Sequence, residues 1–234
     1  MKSNELKEFT FYLVEDHPLI RSYLERVLSR HFSGRLVGVS DSAAVARQEI
    51  AERNPTLVLA DLSLKAGHGL ELIKDLQAIK HPAKVLVLSA HDEAAYAERA
   101  LAAGASGYLG KNAPPLELIE AVGKILSGEV YLSPSMIQRV LNRASSTSDS
   151  ERNPVDQFSD RELEVFELLG KGCDTRQIAH HLGIDSKTVD TYRSRIKEKL
   201  GVTQSSRLHL AAYQWVTGVL EKPELTSAAV QPAE

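Results

Sequence analysis

Carboxylate side chains and one lysine follow apolar segments of this chain in a pattern that suits phosphoryl chemistry. Glu15 and Asp16 follow the first such segment, Asp61 follows another, and Lys111 follows a third. Carboxylates that are brought close together repel one another unless a hard divalent cation lies among them, and Mg²⁺ prefers oxygen ligands. The sequence therefore predicts a Mg²⁺ site beside a nucleophilic aspartate.

Four residues supply the predicted metal shell. Asp61 is the predicted phosphoacceptor, and it shares the cation with the carboxylates of Glu15 and Asp16 and with the backbone carbonyl of Ser63. A carboxylate that shares a cation with an incoming phosphoryl group is a usable nucleophile, because the metal offsets the charge on the phosphoryl oxygens.

Two further side chains are predicted to contact the transferred group. The Lys111 ammonium is expected to form an ion pair with the phosphoryl group, and the Ser89 hydroxyl is expected to hydrogen-bond one of its oxygens. His17, His68 and His91 lie near the same place in the predicted topology. They either tune the lifetime of the phosphoryl group or are ordinary loop residues, and the second interpretation is favoured.

Five apolar runs alternate with five segments of helical periodicity, which is typical of βαβ crossovers. The runs lie at residues 11–14, 36–39, 57–60, 85–88 and 108–109. They predict an α/β fold with a parallel sheet covered by helices on both faces and a ligand site at the carboxyl ends of the strands. In a flavodoxin-like strand order the first and third strands are neighbours, so Asp16 and Asp61 can converge.

The first half of the chain resembles the receiver domain of two-component response regulators. The resemblance covers residues 9–130, and its segments are VEDH at 14–17, LADL at 59–62, LSAHD at 88–92 and GASGYLGK at 104–111. It implies that Asp61 takes a phosphoryl group from a histidine kinase or a phosphotransfer protein. It also implies that Glu15 and Asp16 hold Mg²⁺.

The same resemblance implies a conformational switch. Ser89 and Tyr108 are the implied switch pair, and the aromatic ring is expected to move inward when the hydroxyl is drawn toward the phosphoryl group. One position departs from the receiver pattern, because Lys65 stands where receivers commonly carry a proline, four residues after the phosphoacceptor. The departure concerns the shape of the loop and removes no ligand.

Length, charge and cysteine content exclude several classes of protein. The chain has 234 residues, a formal net charge of −3 and a single cysteine, Cys173. One cysteine excludes a disulfide within the chain and a cysteine zinc site, and it fits a reducing compartment. No apolar run reaches membrane-spanning length, and the N-terminus lacks a signal-peptide core. The sequence therefore predicts a cytoplasmic protein without a membrane partner.

The chain is long enough for two domains, and its composition changes between them. A small, polar segment rich in serine, at residues 144–154, has no periodicity and is interpreted as a flexible connection. The predicted parts are a receiver domain at 8–130, a helical and flexible linker at 131–157, a helix-turn-helix domain at 158–218 and a disordered tail at 219–234.

The second domain is predicted to begin with a capped helix. Ser159 is the predicted N-cap, and Glu162, three residues later, completes a capping box. Gly170 and Gly172 are predicted to end this helix. Helices without strands follow, which is the organisation of a helix-turn-helix domain.

A second helix at residues 175–182, a tight turn and a third helix complete the pattern. Ser186 is the predicted N-cap of the third helix, which extends to Leu200. Between Lys187 and Lys199 there are five basic and two acidic residues, a local surplus of three positive charges. This surplus favours a helix that lies in the major groove of DNA. The predicted DNA contacts are Lys187, Thr188, Thr191, Arg193, Ser194, Arg195, Lys197 and Lys199.

This region resembles the LuxR-type DNA-binding domain. The matching segments are SDRELEV at 159–165, QIA at 177–179, KTV at 187–189 and IKEKLGV at 196–202. With the receiver in front, the chain is similar to the NarL/FixJ family of response regulators. The resemblance implies a transcription factor, not an enzyme, that forms a homodimer on phosphorylation and binds double-stranded DNA.

Two details of the second resemblance concern its DNA contacts and its dimer. The fourth helix, at about 205–215, resembles the dimerisation helix of the family and also closes the small core. The family usually has a basic or neutral residue at the position of Asp190. A carboxylate there repels backbone phosphates and can accept a hydrogen bond from a cytosine amino group, so base preference is expected to differ.

Two other functions were weighed against this interpretation. An aspartate-nucleophile phosphohydrolase shares the metal-bound aspartate, but it normally carries a second acid two residues later, where this chain has Ser63. A DNA-binding protein with a vestigial receiver is the other alternative. The complete set of site residues argues against it.

Overall fold

The computed structural model describes residues 9–64, 67–145 and 154–218. The chain divides into two compact units, which meet in sequence between residues 147 and 148. Lys65, residues 146–153 of the predicted linker and the predicted tail at 219–234 lie outside the described residues.

A parallel sheet of five strands forms the centre of the first unit. The strands are β1 Thr10–Val14, β2 Arg35–Ser40, β3 Leu57–Ala60, β4 Lys84–Ser89 and β5 Gly107–Gly110. Their order across the sheet is β2-β1-β3-β4-β5. The flavodoxin-like order is confirmed, and Val14 at the end of β1 lies opposite Ala60 at the end of β3.

Among the described residues, five helices alternate with these strands as predicted, and a sixth helix follows the fifth. They are α1 Pro18–Phe32, α2 Ala43–Arg53, α3 Gly69–Ala78, α4 Glu93–Ala103, α5 Pro115–Leu126 and α6 Pro134–Ser145. Side chains cap some of these helices at their N-termini, α3 and α4 among them. Asp92, for example, caps α4 by accepting a hydrogen bond from Ala94 N.

The central strands are buried on both faces, which explains their continuous apolar sequence. Phe11 and Leu13 of β1 belong to a cluster that includes Leu24 of α1 and Leu118 of α5. Tyr12, on the opposite face of β1, is also fully buried. This burial fixes the sheet register, because a slip of one residue would exchange the two faces.

The compact first unit continues beyond residue 130, into the segment that was predicted as a helical and flexible linker. Tyr131 is buried and pairs with Gly107 in an isolated parallel bridge at the edge of β5. Its carbonyl accepts a hydrogen bond from Tyr108 N, and its hydroxyl donates one to Glu117. The sequence signal missed this segment because its partners are remote in the chain.

The described residues of the second unit form helices joined by turns, with no strand among them. A short 3-10 helix, Pro154–Gln157, precedes α7 Asp160–Gly170, α8 Thr175–Leu182, α9 Ser186–Lys199 and α10 Ser205–Val216. Buried apolar side chains from all four α-helices form its core, among them Phe166, Ile178, Val189, Ile196 and Leu208. The helix-turn-helix is formed by α8 and α9.

The capping predictions had mixed outcomes. Ser159 and Glu162 form the predicted capping box of α7, with both reciprocal hydrogen bonds. The predicted N-cap of α9 at Ser186 is wrong, because Asp185 occupies that position and accepts hydrogen bonds from the backbone and the hydroxyl of Thr188, each at 2.8 Å. A carboxylate accepts two bonds at once and is stabilised by the positive end of the helix dipole.

The predicted end of the first helix of this unit agrees with the structure. Helix α7 ends at Gly170, Lys171 is its cap, and Gly172 follows with a φ of +83°. A Cβ atom at Gly170 would overlap the backbone carbonyl of Ala212 in α10 and come within 2.6 Å of a methyl group of Val216. Glycine is required here because two helices approach closely.

Candidate functional site

The carboxyl ends of β1 and β3 bring the acidic residues together. Asp61 N donates a hydrogen bond to Val14 O at 2.8 Å, which continues the pairing of the two strands. Ligand atoms of Glu15, Asp16, His17 and Asp61 all lie within 4.8 Å of one another. The convergence expected from the strand order is therefore present, although the two strand ends are 46 residues apart in the chain.

Lys111 links two of these carboxylates. Its Nζ atom lies 2.7 Å from Glu15 Oε2 and 2.8 Å from Asp61 Oδ2, and both acidic side chains are buried. Desolvation by burial raises the pKa of Asp61 and outweighs the opposing effect of Lys111. Burial would lower the pKa of Lys111, but its bonds to Asp61 and Glu15 raise it overall. Lys111 is therefore a stable cation at neutral pH.

The acidic cluster has the chemistry of a site for a divalent cation. Its ligands are mostly carboxylate oxygens, the donors that hard cations prefer. Asp16 Oδ1 is buried without a hydrogen bond in the structure. It lies 2.7 Å from His17 Nδ1, but outside hydrogen-bonding geometry. A buried carboxylate oxygen without a donor fits a cation, so these residues can hold one.

His17 is a member of this cluster that the sequence interpretation left outside the predicted ligands. Its Nδ1 atom also lies 3.0 Å from Glu15 Oε1, while most of the imidazole is exposed. Its place directly after Glu15 and Asp16 was the available signal. Ser63, which the prediction included through its carbonyl, lies beside the cluster and donates its backbone N–H to Asp61 Oδ1 at 3.2 Å.

The side chains of Ser89 and Tyr108 are both hydrogen-bonded to the backbone of His91. The Ser89 hydroxyl oxygen accepts a hydrogen bond from His91 N at 3.1 Å, and the Tyr108 hydroxyl donates one to His91 O at 3.0 Å. Both side chains are fully buried, so the tyrosine ring lies inside the unit in this structure. The two residues predicted as a switch pair therefore share one neighbour.

His91 also connects two loops at this edge of the sheet. Its Nε2 atom lies 2.5 Å from the Ser63 hydroxyl, and its ring stacks on Tyr96 of α4 with 4.5 Å between ring centroids. Ser63 follows β3 by three residues, and His91 follows β4 by two. The loop that carries the predicted phosphoacceptor is therefore joined to the loop that precedes α4.

In the second unit, five of the eight predicted DNA contacts are exposed on α9. Lys199, in the last turn, is one of them, and the others are Lys187, Thr191, Ser194 and Arg195. Their spacing of three to four residues places them on one side of the helix. Val189 and Ile196 are buried on the opposite side. The exposed side is basic and polar, as a DNA-binding helix requires.

Four of the eight predicted contacts, Lys199 among them, are less exposed or have partners within the unit. Thr188 bonds to Asp185, Arg193 donates to the Thr175 hydroxyl at 2.7 Å, and Lys199 Nζ lies 2.6 Å from Glu162 Oε2. Lys197 is partly buried. The sequence showed that these residues are polar and basic, but their partners lie elsewhere in the fold.

The ion pair between Lys199 and Glu162 contributes to the stability of the second unit. Burial alone would raise the pKa of Glu162, but its bonds with Lys199 and Ser159 outweigh burial and lower the pKa below its ordinary value of 4.5. Because the folded-state pKa is lowered, this stabilisation is present above pH 4.5. It is lost as the pH falls through the lower folded-state value.

We expect Lys199→Met to lower the free energy of unfolding of this unit by about 1–2 kcal/mol at pH 7, because it leaves a buried carboxylate without its cation. The single tryptophan of the chain, Trp215, lies in α10, so its fluorescence during urea unfolding reports on this unit in the full-length protein. The difference from wild type should shrink below pH 4.5. Lys187→Met, on the exposed side of α9, is the matched control, and equal losses in both variants would contradict the assignment.

Two known families match successive parts of the chain. The response regulator receiver domain matches residues 11–123, and the bacterial regulatory proteins of the luxR family match residues 156–212. The transcriptional activator protein ExaE of Pseudomonas putida is 36% identical over 200 residues, which cover 85% of this chain and 94% of that protein. The chain belongs to the NarL/FixJ family of response regulators. This response regulator is a DNA-binding regulator of transcription.

Solved structures show the same fold. A LuxR-family two-component response regulator from Aurantimonas sp. SI85-9A1 is 30% identical, covers 60% of this response regulator and 100% of its own chain, and has a TM-score of 0.56. RcsB from Salmonella enterica serovar Typhimurium, bound to a promoter in the presence of a phosphomimetic, is 20% identical. It covers 88% of this chain and 99% of its own, with a TM-score of 0.62, and supports the fold alone. No helix in the described part of the response regulator has the length and apolar character to cross a membrane.

Proposed function

We propose that phosphorylation of Asp61 controls dimerisation and DNA binding by this response regulator, and that a histidine kinase or phosphotransfer protein donates the phosphoryl group. The observation that carries the proposal is the position of the Asp61 carboxylate. It lies within an acidic cluster and 2.8 Å from the Lys111 ammonium. A single nucleophile thus lies beside both the groups that could hold a cation and a fixed positive charge.

The transfer step is an in-line displacement at phosphorus. An oxygen of Asp61 forms a bond to the phosphorus of the donor phosphohistidine while the P–N bond breaks, and the electron pair of that bond returns to the donor imidazole. The Lys111 ammonium offsets charge on the phosphoryl oxygens. The Ser89 hydroxyl donates a hydrogen bond to one of those oxygens.

Glu15, Asp16, Asp61 and the carbonyl of Ser63 are the proposed ligands of Mg²⁺. When bound, Mg²⁺ supplies positive charge that reduces the repulsion between the carboxylates and the incoming group. The buried Asp16 oxygen without a hydrogen bond supports this assignment.

The proposed switch operates through His91. A Ser89 hydroxyl that turns toward a phosphoryl oxygen alters its hydrogen bond with His91 N, and His91 O holds the Tyr108 hydroxyl. A displacement of Ser89 therefore changes the hydrogen bonding of Tyr108 through His91. Ser89 and Tyr108 have one arrangement before phosphorylation and another after it. The phosphoryl group shifts the equilibrium only by the difference between its interaction energies with the two arrangements.

For DNA, we assign the contacts first to the exposed residues Lys187, Thr191, Ser194 and Arg195. The remaining predicted contacts are assigned two roles, to stabilise α9 and to contact DNA at the edge of the interface. They are Thr188, Arg193, Lys197 and Lys199. The homodimer is assigned to α10, where Leu210 and Tyr213 are exposed. A DNA-binding regulator acts where the chromosome is, so we place it in the cytoplasm.

The test measures DNA affinity and oligomeric state of the wild type and Asp61→Asn, each with and without Mg²⁺ and beryllofluoride, which mimics a phosphoryl group. We expect treated wild type to dimerise and to bind its DNA about 10-fold more tightly, within the usual range of coupling between two sites. Untreated wild type and both samples of the variant should remain weak binders. Fluorescence anisotropy and analytical ultracentrifugation provide the two measurements.

Identical DNA binding in all four samples would contradict the proposal and favour the alternative of a vestigial receiver. Steady hydrolysis of phosphomonoesters by the wild type, lost in Asp61→Asn, would instead favour a phosphohydrolase.

A further inference from the structure

An acidic residue, Asp190, lies on the exposed side of the helix that we assign to DNA. It is the fifth residue of α9, between Lys187 and Ser194 on the exposed side, and its side chain is 64% exposed. The other acid of this helix, Glu198, lies in the last turn. Recognition helices contact base edges mainly through their N-terminal residues, so Asp190 and not Glu198 is placed to meet a base.

The charge of Asp190 is only partly offset within the protein. Its Oδ1 atom lies 3.5 Å from Nη1 of Arg193, which is longer than the 2.7–2.9 Å typical of a charge-assisted hydrogen bond. The same nitrogen donates at 2.7 Å to the Thr175 hydroxyl of α8. Arg193 is therefore held mainly by Thr175, and the carboxylate of Asp190 keeps capacity to accept hydrogen bonds.

A carboxylate on this surface has few favourable positions in the major groove. Backbone phosphates repel it, and the carbonyl and N7 acceptors of guanine repel it as well. The amino groups of cytosine and adenine are the base donors in this groove. In adenine the amino group lies beside the N7 acceptor, whereas in cytosine it lies beside a C–H group. Cytosine is therefore the base that a carboxylate meets with the least repulsion.

We propose that Asp190 is a specificity-determining residue that selects a cytosine at one position of each half-site by accepting a hydrogen bond from its amino group. The proposal rests on the proposed contact of α9 with DNA, and it does not depend on phosphorylation. An acidic residue on a basic surface weakens the general attraction to DNA. Under this proposal it also provides sequence discrimination, because a base without an amino group leaves the carboxylate without a hydrogen-bond donor.

The experiment selects binding sites from randomised DNA duplexes with the full-length protein, both untreated and treated with Mg²⁺ and beryllofluoride. Wild type, Asp190→Ala and Asp190→Asn are compared, with Glu198→Gln as the matched control for loss of one negative charge on α9. We expect wild type and the control to select the same sites, with a cytosine at one position of each half-site. Asp190→Ala should lose the preference at that position alone, and Asp190→Asn should shift it toward adenine, the base that an amide matches.

Affinities for single duplexes measure the size of the effect. Replacing the selected cytosine by thymine should weaken wild-type binding about 10-fold, the usual range for one well-placed contact to a base, and should weaken Asp190→Ala less than about 2-fold. Because Asp190 is exposed, neither substitution is expected to change the urea midpoint reported by Trp215.

Three outcomes would overturn the proposal. An unchanged set of selected sites for Asp190→Ala would show that Asp190 contacts no base. A uniform change in affinity for all sequences, including random DNA, would show that the residue acts through general charge or through the position of Arg193. If wild type enriches no sequence while it binds random DNA, both the base contact and the sequence-specific role proposed for α9 are overturned.

Discussion

The Asp61→Asn variant is expected to incorporate no phosphoryl group from a small-molecule phosphoryl donor and Mg²⁺, whereas wild type incorporates one at Asp61. The amide keeps nearly the same shape but lacks the nucleophilic oxygen. Lys111 retains its contact with Glu15 at 2.7 Å, so the local fold should persist. Intact-protein mass spectrometry measures the incorporation, and peptide mapping locates it.

Asp75→Asn is the control for this substitution. Asp75 belongs to the same unit, on the exposed surface of α3, where it lies 3.5 Å from Arg47. The Asp75→Asn variant should incorporate the phosphoryl group to the same extent as wild type. Incorporation by Asp61→Asn at the wild-type level would show that another residue is the acceptor, and the assignment of the acidic cluster would then be wrong.

The Gly170→Ala variant is expected to lose about 3 kcal/mol of the free energy of unfolding of the second unit, since the added methyl group must displace backbone rather than a mobile side chain. The Cβ atom would overlap the Ala212 carbonyl. The higher helix propensity of alanine offsets about 1 kcal/mol at most. Urea unfolding followed by Trp215 fluorescence measures the loss. DNA affinity should also fall, because α7 packs against α9 as well as α10.

Gly172→Ala separates close packing from backbone strain. Gly172 has a φ of +83° and open space around its missing Cβ atom. Alanine there should cost about 1 kcal/mol, through left-handed backbone strain alone. Equal losses of unfolding free energy in Gly170→Ala and Gly172→Ala would contradict this prediction. The close approach of α7 and α10 at Gly170 would then add nothing to the general cost of replacing glycine.

Several features of this response regulator were predicted from the sequence because they depend on short-range patterns. Alternating apolar runs and helical periodicity predicted the succession of strands and helices. A flavodoxin-like order for such a succession then predicted that Asp16 meets Asp61. The capping box of Ser159 and Glu162 is a contact over three residues, so its signature is complete in the sequence. Residue types at strand ends were sufficient to predict the acidic cluster and the place of Lys111.

Contacts between remote residues were decided by the tertiary structure. Lys199 and Arg193 have the composition of DNA contacts, yet the fold places them against Glu162 and Thr175, which are 37 and 18 residues away. A basic side chain has the same identity whether it meets DNA or an internal carboxylate, so the sequence could not separate these roles. The same limit applies to Gly170, whose helix-ending signal and helix-packing role look alike in a single sequence.

The sequence by itself therefore determined which chemical groups this protein has and the order of the elements that carry them. Periodicity and strand-end position are local properties, and they indicate which segments form strands and helices and which residues lie at strand ends. Only the tertiary structure decided which groups remain exposed and which are already paired: His91 between Ser89 and Tyr108, Tyr131 against β5, and Asp190 at the exposed side of α9. Those assignments depend on distances between elements that are far apart in the chain, and no local pattern encodes them.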